Sequence, residues 1–337
     1  MDTPHETISV VIPSYNVEKY LQRAVDSVLR QTLQPQEVIV VDDGATDGTA
    51  DIAKRYGPPV KYIYQENRGL AATRNTGIRN SRGYWIALLD ADDEWVPNHL
   101  ANAMGVLQGH PPLEWYAAAY EARREGTGVI EGVRRCTLPL VDGRYLEDFF
   151  LADARSPFTG SVTMVISRRA FEEVGLFDES LRAAEDWQMW FRLGLKYPRI
   201  GYSREVGAIY WLRGDSLTSQ HTNPPEKILS LIESYERMAA EMGPAKLRQV
   251  EPLIMRWIGN QVRAATREGN REILRRIELR YGCRLPMQWR VVSRARRMTP
   301  GFLWNGALAC WRGLRRLLQR LRMRRGRAVS RARDARP

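Results

Sequence analysis

Four short apolar runs within the first ninety residues constrain this chain more than any other feature. They are Ile8–Ile12, Val38–Val41, Val60–Tyr64 and Tyr84–Leu89. Runs this rich in β-branched residues leave little for a solvent-facing side, as in parallel strands covered on both faces. Helical patterns separate them. Tyr20, Leu21, Ala24, Val25, Val28 and Leu29 recur at helical spacing, with Asn16 placed to cap their helix. Thr46–Tyr56, with Asp47 near its start, and Leu70–Asn80 read as two more helices. The order βαβαβαβ predicts an α/β fold: a mostly parallel, Rossmann-like sheet flanked by helices. Such sheets bind ligands beyond the carboxyl ends of their strands. Three of those ends carry polar clusters, namely Pro13-Ser14-Tyr15-Asn16, Asp42-Asp43-Gly44 and Asp90-Ala91-Asp92-Asp93.

Downstream the pattern is mixed. Pro97–Gln108 reads as helix, Trp115–Ala122 and Val129–Arg135 as strands of an antiparallel extension, and Tyr145–Leu151 as helix. Val162–Ile166 is a predicted strand. Ala184–Lys196 is a predicted helix that buries Trp187, Trp190, Phe191 and Leu195, and Ile209–Leu212 is a late strand. From Pro224 to about Arg280 the pattern is helical. Three divisions result: 1–222, with a first half over about 1–97 and a second over about 98–222; a helical extension over 223–297; and a tail over 298–337.

Charge separates the tail from the body. Residues 290–337 hold fifteen Arg, no Lys and one acid, Asp334, a net +14 against +12 for the whole chain, so 1–289 carries about −2. A mildly acidic body argues against nucleic acid as a partner. Within the tail, Trp311, Leu314, Leu317, Leu318 and Leu321 share one helical face beside Arg312, Arg315, Arg316, Arg320 and Arg322. That is the pattern of a basic amphipathic helix lying on an anionic membrane surface. No stretch is long and apolar enough to span a bilayer, and the N-terminus lacks a signal-peptide pattern. The expected location is therefore cytoplasmic, peripheral on the inner membrane face. Cys136, Cys283 and Cys310 form no CxxC pair, so neither a zinc site nor a disulfide framework is indicated.

The acidic clusters carry the chemistry. Asp90 and Asp92 close a buried strand, and a turn there lets both carboxylates approach one hard cation such as Mg²⁺ or Mn²⁺. Acids at such a position also cap helices, so the pair alone does not decide. Asp42-Asp43 is placed to accept hydrogen bonds from a ribose or a base, and Gly44 equally suits an Asx turn. Arg74 is suited to a phosphate or an acid. Glu185-Asp186 opens a helix, where acids are also favoured by the macrodipole.

Together these segments resemble the inverting glycosyltransferases of family 2, which have the GT-A fold. The matching residues run Val10-Val11-Ile12-Pro13-Ser14-Tyr15-Asn16, Val40-Val41-Asp42-Asp43-Gly44-Ala45-Thr46-Asp47, and Glu66 through Gly77. Leu88-Leu89-Asp90-Ala91-Asp92-Asp93, Gly175-Leu176-Phe177-Asp178-Glu179 and Glu185-Asp186-Trp187 follow in order. The resemblance implies that Pro13 and Tyr15 lie against the nucleotide base and that Asp43, with Asp42 nearby, contacts the uracil. It further implies that Arg74 holds the base and its acidic neighbour, that Asp90 reaches the ribose or a metal-bound water, that Asp92 ligates the metal, and that Asp186 is the catalytic base. The implied partners are a UDP-sugar donor and a glycan or lipid-linked acceptor.

Two departures stand out. Ala45 replaces the usual Ser, and the loop after the late strand, Tyr210-Trp211-Leu212-Arg213-Gly214-Asp215, lacks the usual His. Arg213 is the candidate to contact the diphosphate in its place, with His221 the alternative. A processive polymerase would carry QxxRW, whereas Arg256-Trp257 has Leu253 in place of Gln, so one transfer per encounter is expected. A sugar nucleotidyltransferase would need a Gly-rich phosphate loop that the first strand does not supply. A non-catalytic membrane-associated adaptor would have no need of Asp43, Asp90, Asp92 and Asp186 together.

Overall fold

The computed structural model describes residues 7–109, 113–214 and 225–298. The first compact unit contains residues up to 224 together with Leu231–Ile254. Its centre is β1 (Ile8–Ser14), buried at every residue, flanked by β2 (Glu37–Asp42) and β4 (Trp85–Leu88), with β3 (Val60–Tyr64) beyond β2. These four strands are parallel, as the apolar runs predict. The chain reverses direction of travel across the sheet at β1, which has β2 on one side and β4 on the other. This switch point opens a crevice at the carboxyl ends of the strands.

The register aligns those ends. Ser14 pairs with Asp42, Asp42 with Tyr64, and the Asp43 amide donates to the Ser14 carbonyl at 2.9 Å. Leu89 donates to the Val11 carbonyl, bringing Asp90 to the same rim. Helix α1 (Leu21–Leu29) buries Leu21, Ala24, Val25 and Val28, and α2 is Thr49–Lys54. Helix α3 (Leu70–Asn80) lies so close to β1 that a Cβ on Gly77 would stand 2.3 Å from Val11 Cγ1.

The sheet continues past β4 through β9 (Val165–Ser167), β6 (Trp115–Arg124), β10 (Ile200–Leu212) and β5 (Glu94–Trp95), with β7 (Ile130–Arg134) on β6 and β8 (Tyr145–Leu146) on β10. The β6–β7 pair is antiparallel as expected, but β6 also belongs to the main sheet and runs parallel to β10. Helix α4 spans His99–Leu107, α5 Phe149–Arg155, α6 Arg168–Val174 and α7 Glu185–Lys196.

Four expectations need correction. Asn16 does not cap α1: it sits at φ 50°, and its side chain accepts from the Thr46 amide at 2.8 Å. Tyr145–Leu151 is not one helix, because Asp148 caps a later start by accepting from Leu151 N. The late strand is much longer than Ile209–Leu212, its register shifting between Ser203 and Val206 and again before Ala208. On α7, Trp190, Phe191 and Leu195 are buried, but Trp187 is 42% exposed, since it lies on the helix side away from that core.

Helix α8 (Pro225–Glu241) buries Tyr235, which stacks on Phe191 of α7 at 4.7 Å between centroids. Helix α9 (Pro244–Glu268) reaches α7 through Lys246, whose ammonium donates to the Leu195 carbonyl. The second unit consists of 225–230 and residues from 255 onward. Its α10 (Arg271–Tyr281) is capped by Asn270, which accepts from Ile273 N, and buries Ile273, Leu274, Ile277 and Tyr281; α11 is Met287–Met298. No helix among the described residues is long and apolar enough to cross a membrane. The basic amphipathic stretch 311–323, and His221, lie outside the described residues.

Candidate active site

Pro13 is buried next to the last residue of β1, Ser14, and Tyr15, just beyond the strand, is 48% exposed. Asp42 and Asp43 are both buried. Asp42 accepts from the Ala45 amide at 2.8 Å and from the Tyr62 hydroxyl at 2.7 Å, so one carboxylate oxygen closes the turn and the other ties it to β3. Asp43 accepts from Gln65 Nε2, the Arg68 amide and the Gly69 amide at 2.6, 2.9 and 2.8 Å. Gly69 precedes α3 at φ 93°, a conformation that costs a side-chain-bearing residue about 1–2 kcal/mol. It lets the amide turn toward Asp43.

Helix α3 joins the two sides of the site. Arg74 is 2% exposed, and its guanidinium donates to Asp90 Oδ1 at 2.8 Å and to Glu185 Oε1 at 2.7 Å, with the Phe177 ring 5.4 Å away. A buried cation between two anions stays charged, and both carboxylates hold it far above the range of a titrating group. Asn75 clamps both backbone groups of Phe177 at 2.8 and 2.9 Å and also donates to Glu179 Oε1. Consecutive residues of one helix thus secure the end of β4 and the segment leading into α7.

Beyond β4, Asp90, Asp92 and Asp93 crowd one another. Burial, then repulsion from Asp90, pushes the Asp92 carboxyl above its usual range, opposed by Arg213. Arg213 Nη2 lies 2.6 Å from Asp92 Oδ2, and its guanidinium covers the Tyr20 ring at 4.4 Å. Asp93 is fully buried. Burial and its two acidic neighbours raise its proton affinity strongly, one oxygen accepts from the Trp211 amide at 2.8 Å, and Oδ2 has no hydrogen-bond partner among the described residues. Arg23 completes the wall, donating to the Asp92 carbonyl and to Glu125. No three His, Cys, Asp or Glu side chains converge as a metal cage among the described residues.

Asp186 opens α7. Burial raises its carboxyl to about 6, helped by Glu185 and Asp90, while Arg74 and a 2.8 Å hydrogen bond from the Trp187 amide oppose the rise. A carboxylate poised there can take a proton near neutral pH. The turn before it is strained: Ala184 sits at φ 63°, a region that L-residues with a Cβ avoid.

The sequence profile of Glycosyl transferase family 2 matches residues 9–175. An uncharacterized glycosyltransferase of Rickettsia prowazekii (strain Madrid E) is 32% identical over 235 residues, which cover 68% of this chain and 69% of that protein. The chain belongs to glycosyltransferase family 2. Chondroitin synthase of Escherichia coli is 30% identical over 210 residues, 61% of this chain but 28% of that protein. A crystal structure of S. aureus TarS in complex with UDP superposes with a TM-score of 0.65 at 19% identity, covering 86% of this chain and 88% of that one. The fold is thus the GT-A fold, and the protein is a glycosyltransferase.

Within this glycosyltransferase, Arg74 meets Asp90, and Asp92 meets Arg213. Glu185, Asn75 and Arg23 were not singled out from sequence as site residues. Their partners lie far along the chain, 111 residues for Arg74 with Glu185, and no local pattern reports such a pair.

Proposed function

We propose that the protein transfers a single sugar, with inversion, from a UDP-sugar to an acceptor hydroxyl. The observation that carries this reading is the Arg74 guanidinium, which ties Asp90 at the end of β4 to Glu185, the immediate neighbour of Asp186. It links a nucleotide-facing acid to a carboxyl whose proton affinity suits a general base. That S. aureus TarS was crystallised in complex with UDP and with UDP-GlcNAc supports a uridine donor.

In this mechanism Tyr15 and Pro13 lie against the base, and Asp43 with Asp42 receives the uracil. Asp186 removes the acceptor proton as the hydroxyl oxygen attacks the anomeric carbon from the face opposite the diphosphate. The transition state is oxocarbenium-like, as in other glycosyl transfers. No covalent intermediate forms, so one carboxylate suffices. Arg213 contacts the diphosphate. Asp92 and Asp90 fit Mg²⁺ or Mn²⁺ by their oxygen donors and mutual repulsion, and with only two acids the remaining ligands would be diphosphate oxygens and water. Such an ion would neutralise charge growing on the departing diphosphate. The acceptor is lipid-linked or a growing surface glycan, and the Arg-rich tail holds the enzyme at an anionic membrane.

The test is UDP release from a panel of sugar nucleotides with Mn²⁺ or Mg²⁺, with and without membrane extract. Asp186→Asn should bind UDP and release none from a donor. Pyrophosphate released from UTP and a sugar 1-phosphate, with no UDP from the panel, would instead mark a nucleotidyltransferase, and normal turnover by Asp186→Asn would remove the base assignment.

A further inference from the structure

Among the described residues, the charged and titratable groups that face Asp186 include Glu185 on its own helix, Arg74 on α3, Asp90 at the end of β4, and Tyr235 on α8. Glu185 differs from the others. It is buried at the first turn of α7, adjacent in sequence to Asp186, and one of its oxygens is spent on Arg74 at 2.7 Å. Burying a carboxylate is costly unless it is paired. Its partner here is the same guanidinium that holds Asp90, one nitrogen on each acid, so the two carboxylates share a single positive charge.

Glu185 balances part of the buried Arg74 charge, but the packing of α7 does not depend on it. α7 is anchored independently by Trp190, Phe191, Leu193 and Leu195 in the core and by Tyr235 stacked on Phe191. The segment leading to it is fastened by Asn75 on both backbone groups of Phe177. The macrodipole would favour an acid at this end, but Asp186 and Asp90 already load the same space with negative charge.

We infer that Glu185 is a positioning residue for the transfer reaction: paired with the Arg74 guanidinium at 2.7 Å, its carboxylate holds that charge off the neighbouring Asp186. The inference rests on the proposal that Asp186 is the general base. Through Arg74 it also couples the base to the donor side, because any group that engages Asp90 alters how the guanidinium is shared.

The experiment is the pH dependence of UDP release in the full chain, with membrane extract as acceptor and a saturating level of the sugar nucleotide from the panel that gives most UDP, for the wild type, Glu185→Gln, Glu185→Asp and Asp186→Asn. Glu185→Gln keeps the shape and an oxygen for Arg74, so folding is checked by circular dichroism and by UDP affinity. Loss of the adjacent negative charge should move the acid limb of kcat down by about half to one pH unit. The plateau should fall by about tenfold as the unshared guanidinium pairs with Asp186. Glu185→Asp restores the charge one methylene shorter; its acid limb should return to the wild-type position even with a reduced plateau. An acid limb in Glu185→Gln that superposes on the wild type, or moves upward, overturns the inference while Asp186→Asn stays inactive. Turnover by Asp186→Asn would instead remove the base assignment and this inference together.

Discussion

Arg213 Nη2 stands 2.6 Å from Asp92 Oδ2, so the residue proposed for the diphosphate holds the residue proposed for the metal. Three acids meet at the end of β4, and the guanidinium offsets part of their repulsion. A divalent ion on Asp92 must displace it. With no sugar nucleotide bound, the uncharged Arg213→Gln variant should therefore bind Mn²⁺ more tightly, by about tenfold, the lower end for one charge-assisted hydrogen bond. Electron paramagnetic resonance of free Mn²⁺ measures this directly. The same variant should bind UDP more weakly by calorimetry. An unchanged Mn²⁺ affinity would remove Asp92 as a ligand in competition with Arg213.

Asp186 should make the enzyme less stable where it is most active. Its folded carboxyl titrates at about 6, against 3.8 in an open chain. Between those values the folded protein binds the extra proton, so this group's contribution to stability falls as pH rises from about 4 to 6. Above pH 6 the buried charge burdens the fold in full. Asp186→Asn should raise the thermal midpoint at pH 8 and lose that advantage toward pH 4. A midpoint at pH 8 equal to or below that of the wild type contradicts the assigned environment.

The parts of the fold that sequence reveals are those set by local periodicity. β1, β2 and β4 are legible because strands buried along their length must be largely apolar, β3 by its β-branched and aromatic run although it is a half-exposed edge strand, and α1 because its buried residues recur every three or four positions. β10 is half-hidden because Ser203-Arg204-Glu205 interrupts it where the register shifts, and a polar triplet reads as a loop. Trp187 misleads because it is a large aromatic at a helical position, yet the buried stripe of α7 passes beside it. The acidic clusters are visible as strand-end residues. What they touch is not, since Asn75 reaches Phe177 across 102 residues and Arg213 reaches Asp92 across 121.

His99 should set part of the acid sensitivity. It is fully buried between Trp95 and Tyr116, neither ring nitrogen has a hydrogen-bond partner among the described residues, and burial lowers its imidazole to about 3. The unfolded chain takes up a proton near 6.5 and the folded one does not, so stability drains as pH falls from about 6.5 to 3, by ~1.4 kcal/mol per pH unit. His99→Leu, of similar volume and without the ring nitrogens, should flatten urea-unfolding stability between pH 6.5 and 4 relative to the wild type. Parallel curves for the two proteins would refute this.

Gly77 links core packing to the site. A Cβ there would lie 2.3 Å from Val11 Cγ1 and 3.1 Å from Cγ2, against a fully buried strand at the centre of the sheet. Because neither β1 nor its neighbours can retreat, α3 must lift, and overpacking of this kind costs about 1–3 kcal/mol. The same helix carries Arg74 and Asn75, and the Gly69 amide before it donates to Asp43. Gly77→Ala should therefore lower the urea midpoint and weaken UDP binding together. Removing the opposing methyls in Val11→Ala opens the space the new Cβ needs. The double variant should recover UDP affinity and be more stable than the two single losses sum to, a coupling of the sign expected for residues in contact. Strict additivity in both unfolding and UDP affinity would show that α3 is not seated on β1 at this point.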